Sequence, residues 1–227
     1  APEYRFGALD RVVASAAAHG LKVLISISTP IPYWASEEPR RKNNVWKPDP
    51  EQFARFSYAV AARYGTTVDQ FALLNEPNQG AWLQPQSLHG QLVAPHLYRA
   101  LLASGEAAVR LAAPKAVVIG GELASSGRDD RGATRPIRPL LFLREMACRD
   151  RHYRRLRSGR CKGFKPVGMQ ALGLHPYSLF QSPFQHSIKR DDAAIGDWRR
   201  VNSTMARLVR AGAVRALGNG GPIELYY

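Results

Sequence analysis

Residues 70–78 read Gln-Phe-Ala-Leu-Leu-Asn-Glu-Pro-Asn, an apolar run that breaks off in a carboxylate flanked by amides and a proline. A carboxyl group placed where a buried strand ends can face a ligand in place of a packed core. Glu76 is therefore the candidate proton donor, a general acid able to protonate a departing oxygen as cleavage of a glycosidic bond requires. Asn75 beside it can hydrogen-bond a sugar hydroxyl. His175 closes the apolar run 169–175 and Tyr177 follows two positions later, while Glu122 follows the run 116–121, so each can line the same cup. Trp34 serves either as a flat platform for a sugar ring or as a buried loop anchor. Trp46 and Trp82 read as packing residues of loops.

Bringing those groups together requires strands whose ends coincide in space. Five strand-like runs, 21–27, 70–75, 116–121, 169–175 and 222–227, are short, apolar and bounded by Gly, Pro or Asn. Helical spacing fills the intervals. Leu9, Val12, Val13 and Ala16 share one face of a helix that Gly20 can close, and Asp49-Pro50 caps a second that buries Phe53, Phe56 and Val60 before Gly65. Leu101, Val109 and Leu111 mark a helix over 95–112. Trp198, Val201, Met205, Leu208 and Val209 mark another over 196–211. Alternation of strand and helix predicts an α/β fold with a parallel sheet.

Successive strands start about 50 residues apart, more than a minimal βα unit needs, which leaves room for loops at the end where a barrel keeps its chemistry. A doubly wound open sheet is the competing architecture, but its glycine loop follows a strand and opens a helix. Gly218-Asn219-Gly220-Gly221 precedes a strand instead, and Gly120-Gly121 lacks the remaining spacing.

With Asn75-Glu76-Pro77 ending a strand, the sequence resembles the clan A glycoside hydrolases, cellulase-like (β/α)8-barrel glycosidases of the family 5 or family 39 type, in which an Asn-Glu-Pro at the end of the fourth strand carries the acid/base. Residues 21–34, LKVLISISTPIPYW, look like the third strand with its following Thr-Pro and Trp, and 49–64 resembles the helix leading to the fourth. Leu174-His175-Pro176-Tyr177 resembles the end of the sixth strand, where a His and an aromatic residue line the sugar site, and 222–227 resembles the start of the seventh. The resemblance implies a TIM barrel that is incomplete here, lacking strands one, two and eight, and a single partial catalytic domain over 1–227. It also implies a retaining double displacement on β-linked oligo- or polysaccharides by two carboxylates about 5–5.5 Å apart. The nucleophile is expected beyond Tyr227, so the chain alone is expected to be inactive. Glu224, two positions into a strand, reads as an ion-paired or strand-edge carboxylate. A noncatalytic or degenerate barrel that binds carbohydrate is the alternative. No cofactor is implied.

The composition, 45% hydrophobic over 227 residues, suits one globular domain with a buried core. No apolar run approaches the roughly 20 residues of a membrane span, so no membrane insertion is expected. His19, His89, His96, His152 and His186 have no metal-ligand spacing among themselves or with the cysteines, and no metal is expected. Cys148 and Cys161 bracket a short polar loop. Two thiols cannot complete a four-ligand zinc site, so a disulfide is expected, and with it an oxidising compartment. Similar polysaccharide-degrading enzymes are commonly secreted, so a secreted or extracellular location is expected, its signal peptide lying outside this sequence. The net charge is +14, and residues 149–165 carry eight basic residues against Asp150 alone. A nucleic-acid site would need aromatic rings among those cations. Only Tyr153 and Phe164 are present, so the stretch reads as a solvated basic insertion at about 148–161, able to attract acidic polysaccharides or anionic cell surfaces, with no nucleic acid as partner.

Overall fold

The computed structural model describes residues 3–179, 181–217 and 222–227. Five strands form one parallel sheet: β1 (Leu24–Ile27), β2 (Gln70–Leu73), β3 (Val117–Ala124), β4 (Ala171–His175) and β5 (Glu224–Tyr226), neighbours in chain order. Helices α1 (Gly7–Ala18), α2 (Pro50–Tyr64), α3 (Ala94–Ala112), α4 (Pro139–Met146) and α5 (Trp198–Arg210) alternate with them. Parallel neighbours in sequential order, each joined by a helical crossover, make five-eighths of a (β/α)8 barrel.

Local chemistry is plainest at α2. Asp49 accepts from the backbone N–H groups of Glu51 (2.7 Å) and Gln52 (3.2 Å), and Pro50 occupies the first turn of α2, the capping expected from the sequence. Phe53, Val60, Ala61 and Tyr64 then bury one face of α2. At Gly105 of α3 a Cβ would lie 2.9 Å from the Phe53 ring, so a glycine lets the two helices pack closely. Val12 on α1 is 62% exposed and Leu111 on α3 is 77% exposed, against the expectation that both join a buried face; only Val13 is buried on α1. Trp198 and Val209 of α5 are likewise exposed, while Val201, Met205 and Leu208 are buried.

Side chains on the outer face of the sheet, among them Ile25, Ile27, Phe71, Leu73, Val118, Leu172 and Leu174, join the helices in the main core. The inner face holds a small layer of Ala72, Ile119 and Ala171, with Gln70 Nε2 donating to the Tyr226 hydroxyl at 3.2 Å below it. β1 begins three residues later than expected, at Leu24, and β3 runs to Ala124. Val167–Met169 pairs in parallel with Val214–Ala216 as a separate two-stranded sheet, so the expected fourth run is divided at Gln170. Residues 218–221, the glycine stretch weighed above, lie outside the described residues.

Candidate active site

β3 departs from regular alternation at one place, and that place builds the site. Its register against β4 shifts between Gly120 and Leu123, where Gly121 (φ 93°) and Glu122 (φ 43°) are both left-handed. Left-handed backbone is free for Gly121 and costs about 1–2 kcal/mol at Glu122. The extra residue reverses the phase of the strand. Leu123, which would otherwise follow Ile119 inward, packs with Leu174 in the outer core. The buried Glu122 side chain, 9% exposed, instead accepts a hydrogen bond at Oε2 from Ser26 Oγ of β1 at 2.6 Å. The sequence placed Glu122 after a strand; it lies within one. A Cβ at Gly173 would come 2.9 Å from Glu122 Cγ, so β4 is a glycine where this side chain passes. Tyr98 of α3 secures the bulge from outside: its hydroxyl accepts from Gly121 N–H (2.6 Å) and donates to the Leu73 carbonyl (3.0 Å). Burial drives its phenol pKa well up, keeping it a donor.

β2 ends in a similar break. Leu74 (φ 72°) and Glu76 (φ 39°) are left-handed, the Leu74 N–H donates to Ile27 O (2.9 Å), and the Glu76 N–H donates to Glu122 O (3.0 Å). Asn78 closes the turn. It is fully buried, its Nδ2 donates to Ala124 O (3.1 Å) and Ile137 O (2.9 Å), and its Oδ1 accepts from Ala124 N–H (2.9 Å). Sequence reasoning assigned Asn78 no role, although its place beside Glu76 was in view; an amide able to serve three backbone groups at once was the available signal.

Glu76 and His175 meet across the strand ends. Nδ1 of His175 lies 2.9 Å from Glu76 Oε1, an approach that raises the imidazole pKa first through this hydrogen bond and further through the charges of Glu76 and Glu122, against a smaller opposing effect of burial. Glu76 Oε2 has no hydrogen-bond partner among the described residues. The half-buried Asn75 uses its backbone N–H on Ser28 Oγ (3.0 Å), and its side-chain amide also has no partner among the described residues. Tyr177 is 65% exposed, its ring 6.4 Å from that of His175, and it lines a cavity of about 300 Å³ with Ser125, Ser126, Gln181 and Ser187.

Trp34 stands apart from that cluster. It is 54% exposed and lines a cavity of about 440 Å³ beside β1, with Ser28, Pro30, Phe53 and Phe56, which touches neither Glu76 nor His175. Trp46 is buried under the Arg41 guanidinium, and its Nε1 donates to Glu38 (2.9 Å). Cys148 and Cys161 form a disulfide. The fold brings His96 to these sulfurs, all ligand atoms within 4.8 Å, a proximity their sequence spacing hides; bonded to each other, the sulfurs are not available as thiolate ligands.

The fold and this arrangement define a barrel of the α/β class with a carboxylate–imidazole pair at its strand ends. No protein-family profile and no curated protein matches the chain. Among solved structures it is similar to a monomeric β-xylosidase from Caulobacter crescentus CB15 (TM-score 0.53, 19% identity, covering 99% of this chain and 40% of that one). It is also similar to a glucosidase from Croceicoccus marinus (TM-score 0.52, 16% identity, covering 92% and 35%) and to a psychrophilic family 10 endo-β-1,4-xylanase (TM-score 0.51, 11% identity, covering 92% and 57%). Its structural neighbours are clan A glycoside hydrolases with TIM-barrel folds. The chain spans 35% to 57% of the length of these three, and at these identities the likeness is one of fold. Among the described residues no helix is long and apolar enough to cross a membrane.

Proposed function

We propose that residues 1–227 form the acid/base-bearing part of a retaining glycosidase acting on β-linked oligo- or polysaccharides, with Glu76 as the acid/base. The observation that carries this reading is the Glu76 carboxyl group itself: it stands at the carboxyl end of β2 with Oε1 tied to His175 and Oε2 without a partner among the described residues. One oxygen is oriented and the other is left to exchange a proton with a leaving oxygen and later with water. His175 positions that carboxyl group. Asn75 offers to a sugar hydroxyl an amide that has no partner among the described residues, Tyr177 and Trp34 offer exposed ring faces to sugar, and Glu122 offers Oε1, its other oxygen being held by Ser26. The attacking carboxylate is expected from the end of the strand that β5 represents. The disulfide accords with an oxidising, extracellular setting.

A second reading, a barrel that binds carbohydrate without cleaving it, draws on Glu122: it is the other carboxylate beside the site among the described residues, and it is buried against Ser26 where an attacking group would need to be free.

Hydrolysis of a panel of aryl β-glycosides by the full-length gene product, beside its Glu76→Ala variant, separates the two. Loss of activity by about 10²–10⁴-fold, with partial rescue by azide or by a substrate with a good leaving group, is expected. Folded protein that binds sugars but cleaves none of the panel would establish the second reading.

A further inference from the structure

The basic residues of this chain are distributed unevenly between paired and unpaired states. Arg41, Lys47, Arg55, Arg63, Arg110 and Arg138 each hold a carboxylate. Arg151, Arg154, Arg155, Arg157, Arg160 and Lys162 are all exposed, and none forms an ion pair among the described residues. These six sit in the connection from α4 to the strand Val167–Met169. Leu156 and Arg160 line a cavity with Gly90 and Leu92, which precede α3, and with Arg131, which precedes α4, and Glu76 is not among its lining residues.

The surface is built rather than loose. The Cys148–Cys161 bond closes the loop, Arg99 Nη2 donates to Arg160 O at 3.0 Å, and Leu156 N–H donates to Cys148 O at 3.0 Å. Arg149 Nη2 reaches Ala211 O at 2.9 Å, which joins the loop to the end of α5, where Arg207 and Arg210 are also exposed and unpaired among the described residues. Holding like charges together with Asp150 as the one acidic residue of residues 149–165 costs folding energy, and a fixed array loses little further entropy when a polyanion binds.

The aromatic residues decide which polyanion. Tyr153 and Phe164 are half-buried against the core, and guanidinium groups stand over both rings: Arg207 at 5.2 Å from Tyr153, and Arg99 at 5.3 Å and Arg149 at 5.7 Å from Phe164. Neither ring is open to a base, as a single-strand nucleic-acid site requires. Leu156 is half-buried, so the loop has no exposed apolar side chain to enter a bilayer. We propose that this face is a docking platform for an acidic polysaccharide, whose regularly repeated carboxylates or sulfates meet the arginines, and that it works independently of Glu76.

The test is binding of the full-length gene product to de-esterified polygalacturonate, with its methyl ester, duplex DNA and phosphatidylserine vesicles as comparators at one ionic strength. Replacing Arg154, Arg155 and Arg157 together by glutamine should weaken polygalacturonate binding about a hundredfold, at about fivefold per cation facing an anionic surface. Removing three exposed cations elsewhere, Arg5→Gln, Arg11→Gln and Lys42→Gln, should change it less than twofold, and Glu76→Gln should leave it unaltered. Equal losses from the two triple variants would reduce the effect to net charge and overturn the proposal. So would equal binding of the methyl ester, or tighter binding of DNA or of vesicles than of polygalacturonate.

Discussion

Replacing Asn78 by alanine should remove about 3–5 kcal/mol of stability. The side chain serves three backbone groups, the N–H and carbonyl of Ala124 and the carbonyl of Ile137, at 2.9–3.1 Å in a fully buried position. Each buried group left unpaired costs about 1–3 kcal/mol, and the three share one neighbourhood, so the total falls below the simple sum. Against a domain stability of about 5–15 kcal/mol, that is about a fifth of the whole or more. Asn78→Asp is the sharper comparator. It keeps an acceptor for the Ala124 N–H but turns a second oxygen toward two carbonyl oxygens, so it should destabilise at least as much as alanine despite its equal size. Equilibrium urea unfolding of the 227-residue chain, followed by tryptophan fluorescence, reads both. If either variant stays within about 0.5 kcal/mol of the parent, a range ordinary for surface substitutions, the account of how β2 and β3 are joined is wrong.

Three further perturbations test other parts of the structure. Gly173→Ala should cost about 1–3 kcal/mol and displace Glu122 from Ser26, because its Cβ would meet Glu122 Cγ at 2.9 Å and Glu122 N at 3.1 Å; unchanged thermal unfolding would show that the bulge yields freely. The pKa of His175 is raised in the folded state, so its contribution is complete below the unfolded value near 6.5 and is lost as pH rises through the higher folded value. The unfolding free energy should therefore fall over that interval, and His175→Gln should flatten that part of the profile; a profile identical to the parent's would remove the ion pair as its cause. Cys148→Ser with Cys161→Ser opens a loop whose ends are 13 residues apart and should lower stability by about 3 kcal/mol. A loss no larger than that of a surface substitution would mean that Arg99 and Arg149 hold the loop unaided.

Parts of this architecture were legible because local chemistry agreed with the final packing. Asp49-Pro50 announces α2 through a side-chain acceptor and a preset φ, neither of which needs knowledge of the rest of the chain. The strand-end positions of Glu76 and His175 were legible because an apolar run ends just before the one and at the other. Val12 and Leu111 misled for the opposite reason: helical spacing tells which residues share a face but not whether another element covers it. α4 escaped because eight residues span barely two turns, too few for a period to stand out. Glu122 was seen as a candidate but placed outside its strand, because residues 116–121 give no sign that Gly121 and Glu122 turn left-handed. The approach of His96 to Cys148 lay beyond any spacing rule, since it depends on how α3 packs beside α4.

The bulge in β3 also changes how this strand can be compared with any other. Counted strictly by twos, the sequence from Val117 onward assigns Leu123 to the barrel interior and Glu122 to the helix layer, which would set a bare carboxylate among Phe, Leu and Met side chains. One supernumerary residue lets a single strand obey two numbering schemes, one for the fold below Gly120 and one for the site above it. An alignment that scores β3 without a gap at Gly121 will match its core and misassign its carboxylate. A barrel redesigned by regularising that strand would keep its hydrophobic layer at the base and invert its chemistry at the rim.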